Sequence, residues 1–146
     1  FKLVVYSDRI GNATHLALVR GELKPGREAL VRVHEPLSVI DLLDVKSASH
    51  SWNFNRALAA VARAECGVIV LLHRPETAGD LAARALPGAI PVNPKNALRT
   101  YGIGAQILRD LNVTKMRLLS KPRRMPSMAG FDLQVSGYMQ PEDEPQ

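Results

Sequence analysis

At 146 residues the chain is one domain's worth and long enough to bury a sizeable core. No apolar run approaches the roughly 20 residues that span a bilayer, no signal-peptide pattern opens the chain, and a single cysteine, Cys66, excludes an intrachain disulfide and fits a reducing, cytoplasmic compartment. A formal net charge of +5 favours anionic partners such as nucleotides or phosphates, whereas 5% aromatics without a stacking stripe set nucleic acid aside; a solvated basic surface is the plainer reading of that charge.

Leu3 to Ser7 and Thr14 to Arg20 are β-rich runs, and Gly11-Asn12 between them is a turn signal, which predicts a hairpin. Pro25-Gly26 marks another turn. Ala29 to His34 alternates as a strand, which Pro36 ends by withholding a backbone donor. Ser38 to His50 is ambiguous, with Leu42, Leu43 and Val45 apolar among polar neighbours. Ser51 is a fair N-cap for a helix to about Glu65 that presents Phe54, Leu58 and Val61 on one face, with Gly67 as its candidate C-cap. Val68 to Leu72 is a continuous apolar run, the pattern of a strand buried on both faces. Thr77 to Leu86 predicts a short helix, and Pro87, Pro91 and Pro94 then predict a loop.

Tyr101 to Ser120 is the organising stretch. Ile103, Ile107, Leu108 and Leu111 recur at helical spacing, Asn112 stands where a left-handed cap is wanted, and Lys115 to Leu119 is a strand-like run. Lys121, Arg123 and Arg124 cluster just beyond. The Gly102-x-Gly104 pair lacks a third glycine or a P-loop lysine, so plain helix entry is preferred over a phosphate loop. Phe131 to Ser136 predicts a last strand, and residues 141–146 read as a disordered acidic tail. Alternating strands and helices after an antiparallel hairpin predict an α/β domain, a mixed β-sheet flanked by helices, over residues 1–140.

The run Tyr101-Gly-Ile-Gly-Ala-Gln-Ile-Leu-Arg-Asp-Leu111, with Lys115-Met-Arg-Leu-Leu119, resembles the C-terminal part of GTP cyclohydrolase II, and extends weakly back through Thr14-His-Leu-Ala-Leu18 and Val31-Arg-Val-His34. It is most similar to the version fused behind 3,4-dihydroxy-2-butanone 4-phosphate synthase in riboflavin synthesis. The resemblance implies a GTP cyclohydrolase II-like fold and a homodimer, and suggests that the chain, opening on Phe1, is a piece of a longer polypeptide with an N-terminal synthase domain.

The family's chemistry rests on a zinc held by three cysteines, whose thiolates suit the metal and whose open fourth position carries the attacking water. On the resemblance those positions fall at Pro36, Ser47 and Ser49, of which proline cannot ligate and serine is a poor donor at neutral pH. His34, His50, His73 and Cys66 lack metal-motif spacing. The family's Glu-Gly-Arg loop should fall near Arg74-Pro75-Glu76-Thr77 and is absent, and the segment after it is shorter. The purine-side glutamine aligns with Trp52, and the catalytic aspartate aligns with Ala97, which removes the general base.

Other matches persist. Arg32 and Glu35 correspond to the early nucleotide-contacting segment, Arg99 to the arginine proposed as nucleophile toward the α-phosphate, and Ser120 and Arg124 to a threonine and lysine near the phosphates. They could cradle a phosphate or serve in structural ion pairs. The expectation is therefore a zinc-less, catalytically inactive domain that needs no cofactor and has a structural or regulatory role beside the synthase domain. The competing readings are a phosphate- or nucleotide-sensing module with a weak anionic ligand, and an active GTP cyclohydrolase II with an altered site.

Overall fold

A computed structural model describes residues 1–35, 52–73, 78–86, 94–122 and 128–141. The first turn forms for local reasons. The Asp8 carboxylate accepts the backbone N–H groups of Ile10 (3.0 Å) and Gly11 (2.9 Å), and Asn12 takes the left-handed conformation at φ 50°. The hairpin so closed joins β1 (Lys2–Asp8) to β2 (Ala13–Arg20) in unbroken antiparallel register from Lys2↔Val19 to Asp8↔Ala13. The remaining elements are β3 (Glu28–His34), α1 (Phe54–Arg63), β4 (Gly67–Leu71), α2 (Ala78–Ala85), α3 (Pro94–Asp110), β5 (Lys115–Leu119) and β6 (Gln134–Met139).

Among the described residues the strands form one six-stranded sheet in the order β1-β2-β4-β3-β5-β6. β2 meets β4 antiparallel, whereas β4, β3, β5 and β6 run parallel to their neighbours, so the sheet is mixed. Strand alternation sends side chains to two separate cores. On one face Ala17, Val31, Val68, Val70, Met116 and Leu118 pack with Ala105, Ile107 and Leu108 of α3. On the other Ile69, Leu71 and Leu119 pack with Ala57, Ala60 and Val61 of α1 and with Trp52. All five residues of β4 are buried, as a strand covered on both faces requires.

Four boundaries differ from the sequence reading. The N-cap of α1 is Asn53, whose side-chain oxygen accepts from Asn55 N (2.7 Å) and Arg56 N (3.4 Å). An amide two residues beyond Ser51 thus does the capping. Gly67 is no C-cap: it opens β4, where a Cβ would lie 2.5 Å from the carbonyl oxygen of Leu30, so glycine is needed for backbone approach. Pro94 does not hold a loop but begins α3, a position where its missing N–H has no intrahelical partner to lose. Gly102 and Gly104 consequently lie inside the helix, and at Gly104 a Cβ would lie 3.6 Å from Val33 Cγ1, so the position faces β3 rather than marking a phosphate loop. The last strand also starts later than expected, at Gln134, because Met128–Phe131 forms a 3-10 turn and Asp132 takes φ 54°.

The end of α3 follows the expectation. Asn112 sits at φ 68°, its N–H donates to Arg109 O (3.0 Å), and Val113 N donates to Leu108 O (3.0 Å). These are the two bonds of a Schellman cap, closed by the buried pair Leu108 and Val113. Among the described residues, no helix is long and apolar enough to cross a membrane. The ambiguous stretch 38–50 and residues 142–146 of the acidic tail lie outside the described residues. Pro141, where that tail begins, accepts from Arg56 Nη2 at 3.1 Å.

Candidate functional site

Because β4, β3, β5 and β6 run parallel, their carboxyl ends line one edge of the sheet, the edge at which open α/β sheets take their ligands. It gathers Glu35 after β3, Leu72 and His73 after β4, Ser120 and Lys121 after β5, and Gln140 after β6. The N-terminus of α1, with Trp52 and Phe54, packs over the same end on one face.

Arg32 is the buried cation of this edge. Its side chain leaves β3 on the α1 face, is only 6% exposed, and donates from Nη1 to Leu119 O at 2.9 Å and from Nη2 to Trp52 O at 3.5 Å. The planar guanidinium thus ties β3 to the end of β5 and to the entrance of α1. Trp52 is fully buried, and its Nε1 donates to Met139 O at 2.9 Å, anchoring that entrance to β6 as well. Arg56 stacks over the indole, 5.9 Å from the ring centroid. His34, also fully buried, meets the Phe54 ring edge-on at 5.7 Å.

Ser120 lies beside this cluster. Its backbone N–H donates to Met139 O (3.1 Å), and its buried hydroxyl donates to Lys121 O at 2.6 Å. A ligand that needs the hydroxyl as a donor must displace that bond. Lys121 itself is exposed.

Glu35 belongs to a different neighbourhood. The buried His15 accepts the backbone N–H of His73 at its Nδ1 (3.1 Å) and places Nε2 3.9 Å from Asp8 Oδ2. Burial pushes the His15 pKa down; Asp8 and Glu35 oppose that shift, and His73 adds to it. The arrangement fixes a neutral imidazole protonated at Nε2. Of the candidates read from sequence, the structure therefore brings Arg32 and Ser120 together, while the Glu35 charge acts on His15 to oppose the lowering of its pKa. Sequence reading missed His15 and Asp8, and also the role of Arg56. Only the Thr14-His15 match hinted at the first, and nothing in the spacing could pair Asp8 with it.

Arg99 lies within α3, in its second turn, and not just ahead of the helix. The reason is the helix start at Pro94. Since Gly104 meets Val33 near the end of β3, the earlier turns of α3 lie toward the carboxyl edge. The side chains of Arg99 and Ala97, and residues Pro36, Ser47, Ser49, Arg124 and 74–77, lie outside the described residues.

The donor set can be tested for zinc on its chemistry. A three-thiolate site needs three cysteines, and the chain has one. Cys66 is buried just before β4, at the opposite edge of the sheet, with Sγ 3.4 Å from Glu28 O. Among the described residues, no group of three or more His, Cys, Asp or Glu side chains could hold a metal ion. The residues present do not fit the family's zinc.

Comparison with known proteins gives the chain a family. The family model described as GTP cyclohydrolase II matches residues 1–140. A protein of Neisseria meningitidis serogroup A named 3,4-dihydroxy-2-butanone 4-phosphate synthase is 44% identical over 142 residues, covering 97% of this chain and 39% of its own. One of the same name from Pseudomonas aeruginosa is 40% identical over 146 residues, covering 97% and 40%. The riboflavin biosynthesis protein RibBA of Bacillus cereus is 34% identical over 149 residues, covering 92% and 37%. The chain thus spans about two-fifths of the length of these relatives. By the family match over nearly its whole length, the chain belongs to the GTP cyclohydrolase II family.

Proposed function

We propose that this domain is a zinc-less, catalytically silent member of its family, with a structural or regulatory role beside a 3,4-dihydroxy-2-butanone 4-phosphate synthase domain of the same polypeptide. The setting is riboflavin biosynthesis in the cytoplasm, and the assembly a homodimer. The names and lengths of the relatives support the pathway and the neighbouring domain.

One observation carries the silent reading: a single cysteine, buried at the wrong edge of the sheet, stands against the three thiolates that the family's reaction requires. The edge itself supports the same view. Arg32 donates to backbone carbonyls of Leu119 and Trp52, and a fully buried indole aligns with the purine-side glutamine. Such a cluster braces three strand ends and a helix entrance. The deciding experiment is incubation of the purified protein with GTP and added zinc, followed by assay of formate and the ring-opened pyrimidine. Neither product is expected, and sustained formate release would instead establish an active GTP cyclohydrolase II with an altered site.

A second reading, a phosphate- or nucleotide-sensing module, draws on Lys121, exposed directly after β5, and on the placement of Arg99 in a helix whose early turns lie toward the same edge. A ligand-induced thermal shift with phosphate, pyrophosphate and nucleotides separates it from the purely structural role.

A further inference from the structure

The two edges of the sheet are built differently. β6 closes one edge with a β-bulge: Met116 pairs with Val135 and Arg117 with Gly137, leaving Ser136 as the extra residue, its hydroxyl bonded to Glu28 Oε2 (2.7 Å) and Met116 O (2.9 Å). Bulges of this kind block addition of another strand. β1 closes the other edge with seven residues in regular register, no proline and no bulge. It is also apolar on both faces. Val4 and Tyr6 pack into the α3-side core, whereas Leu3 and Val5 point to the α1 side and stay 57% and 62% exposed. Their register partners on β2, Leu18 and Leu16, share that face and are half-buried against the α1-side core. What Leu3 and Val5 lack among the described residues, and Leu18 and Leu16 have, is a strand on the outer side.

We propose that β1 pairs antiparallel with β1 of a second copy of this chain about a two-fold axis at Val5, joining the two sheets into one. The charges select this occupant and this register. β1 carries Lys2 near one end and Asp8 at the other. With Val5 opposite its own copy, Val4 falls opposite Tyr6, Leu3 opposite Ser7, and Lys2 opposite Asp8, twice by symmetry. Opposite charges at the two ends and apolar pairs around the axis then face each other, with Leu3 opposite Ser7 between them, which favours this pairing over a shifted one. The homodimer proposed above thereby acquires a surface, and the surface is independent of whether the domain turns over GTP.

The test is sedimentation velocity combined with cysteine cross-linking. Val5→Cys places two exposed thiols at the axis, where directly opposite Cα atoms stand about 4.5–5.5 Å apart. Ser7→Cys displaces its two copies by four positions, roughly 13 Å along the strands. Cys66 is buried and supplies the background measured on the unsubstituted protein. The expected result is a dimer in which a short bis-maleimide links Val5→Cys chains and leaves Ser7→Cys chains unlinked. A monomer at every concentration overturns both this surface and the homodimer. A dimer that is not linked at position 5, or is linked equally at position 7, overturns the surface and register while leaving the homodimer standing.

Discussion

The guanidinium of Arg32 on β3 donates to the carbonyl of Leu119 at the end of β5, a contact across 87 positions of sequence made by a side chain only 6% exposed. A phosphate-binding arginine would keep that nitrogen for a ligand. A bracing arginine uses it on the backbone.

Arg32→Met should therefore destabilise the fold, by about 1.5–3 kcal/mol, because it removes a charge-assisted bond and leaves the carbonyl of Leu119 without its donor. Arg32→Lys should recover little, since one ammonium cannot reproduce a planar fork directed at two carbonyls. Urea unfolding followed by circular dichroism measures both. A loss below about 0.5 kcal/mol, accompanied by lost anion binding, would return Arg32 to the ligand-binding role.

The helix that organises the chain makes a second test. Leu108 is 2% exposed in the α3-side core and forms the Schellman cap with Val113. Leu108→Ala should cost about 2–5 kcal/mol through the cavity it leaves. Asn112→Ala should cost about 1 kcal/mol, because alanine has no means to favour φ 68°, and Asn112→Gly should be close to neutral. Equal losses for alanine and glycine at 112 would mean that the cap conformation is not what matters there.

Local signals were enough to read the hairpin, the buried β4, and the helix–turn–strand unit with its asparagine cap, because apolar period and turn chemistry are written in neighbouring residues. The misreadings arose where a rule had two outcomes. Proline both breaks helices and starts them, and only the fold decides that Pro94 starts one. Glycine caps helices and also permits backbone approach, and only the distance to Leu30 assigns Gly67 to the second use. At the site, the single cysteine was legible directly from composition. The division between Arg32 with Ser120 and Glu35 with His15 was not, since it depends on which face of the sheet each strand position takes and on pairings between distant strands.

His15 should make stability depend on pH. Burial holds its pKa below the ordinary imidazole value, so the unfolded chain binds a proton that the folded chain refuses. Stability should be fully retained above about pH 6.5 and fall with decreasing pH until the folded imidazole also protonates. Protonation would in addition end the acceptance of the His73 N–H at Nδ1. His15→Asn keeps an acceptor near that position and cannot titrate. Unfolding free energies at about pH 5.5 and 7.5 should differ more for the wild-type chain than for the variant. Equal differences would assign the pH dependence to other groups.

Zinc and turnover can be separated by restoration. Elemental analysis of the purified protein should find no stoichiometric zinc. On the proposed correspondence, substituting cysteine together at Pro36, Ser47 and Ser49 supplies the thiolates but not the carboxylate whose place Ala97 takes, so GTP should remain unconverted even if zinc then binds. Formate release from that triple variant would show that the missing base is dispensable. Tightly held zinc in the unsubstituted protein, lost on changing His34 or His50, would show that a different ligand set has been built.

The remaining question is whether an anion still binds at the carboxyl edge. Within α3 the backbone N–H of Arg99 belongs to the helix, so a helix entrance cannot hold the ligand at that residue. Any cradle must come from side chains, with Arg99 and Arg124 as the proposed cations and the exposed Lys121 as a third. Side-chain charges in contact with water are screened by salt, so binding should be weak and should fade as ionic strength rises. Trp52 is fully buried and already donates to Met139 O, so it offers a purine no hydrogen bond in place of the family's glutamine. GTP, ATP and pyrophosphate should consequently bind alike. Calorimetry at low salt should detect all three, and Arg99→Ala should abolish the signal without lowering the thermal midpoint. Guanine-selective binding would contradict this account of Trp52, and binding that ignores Arg99→Ala would remove the sensing role and leave the structural one.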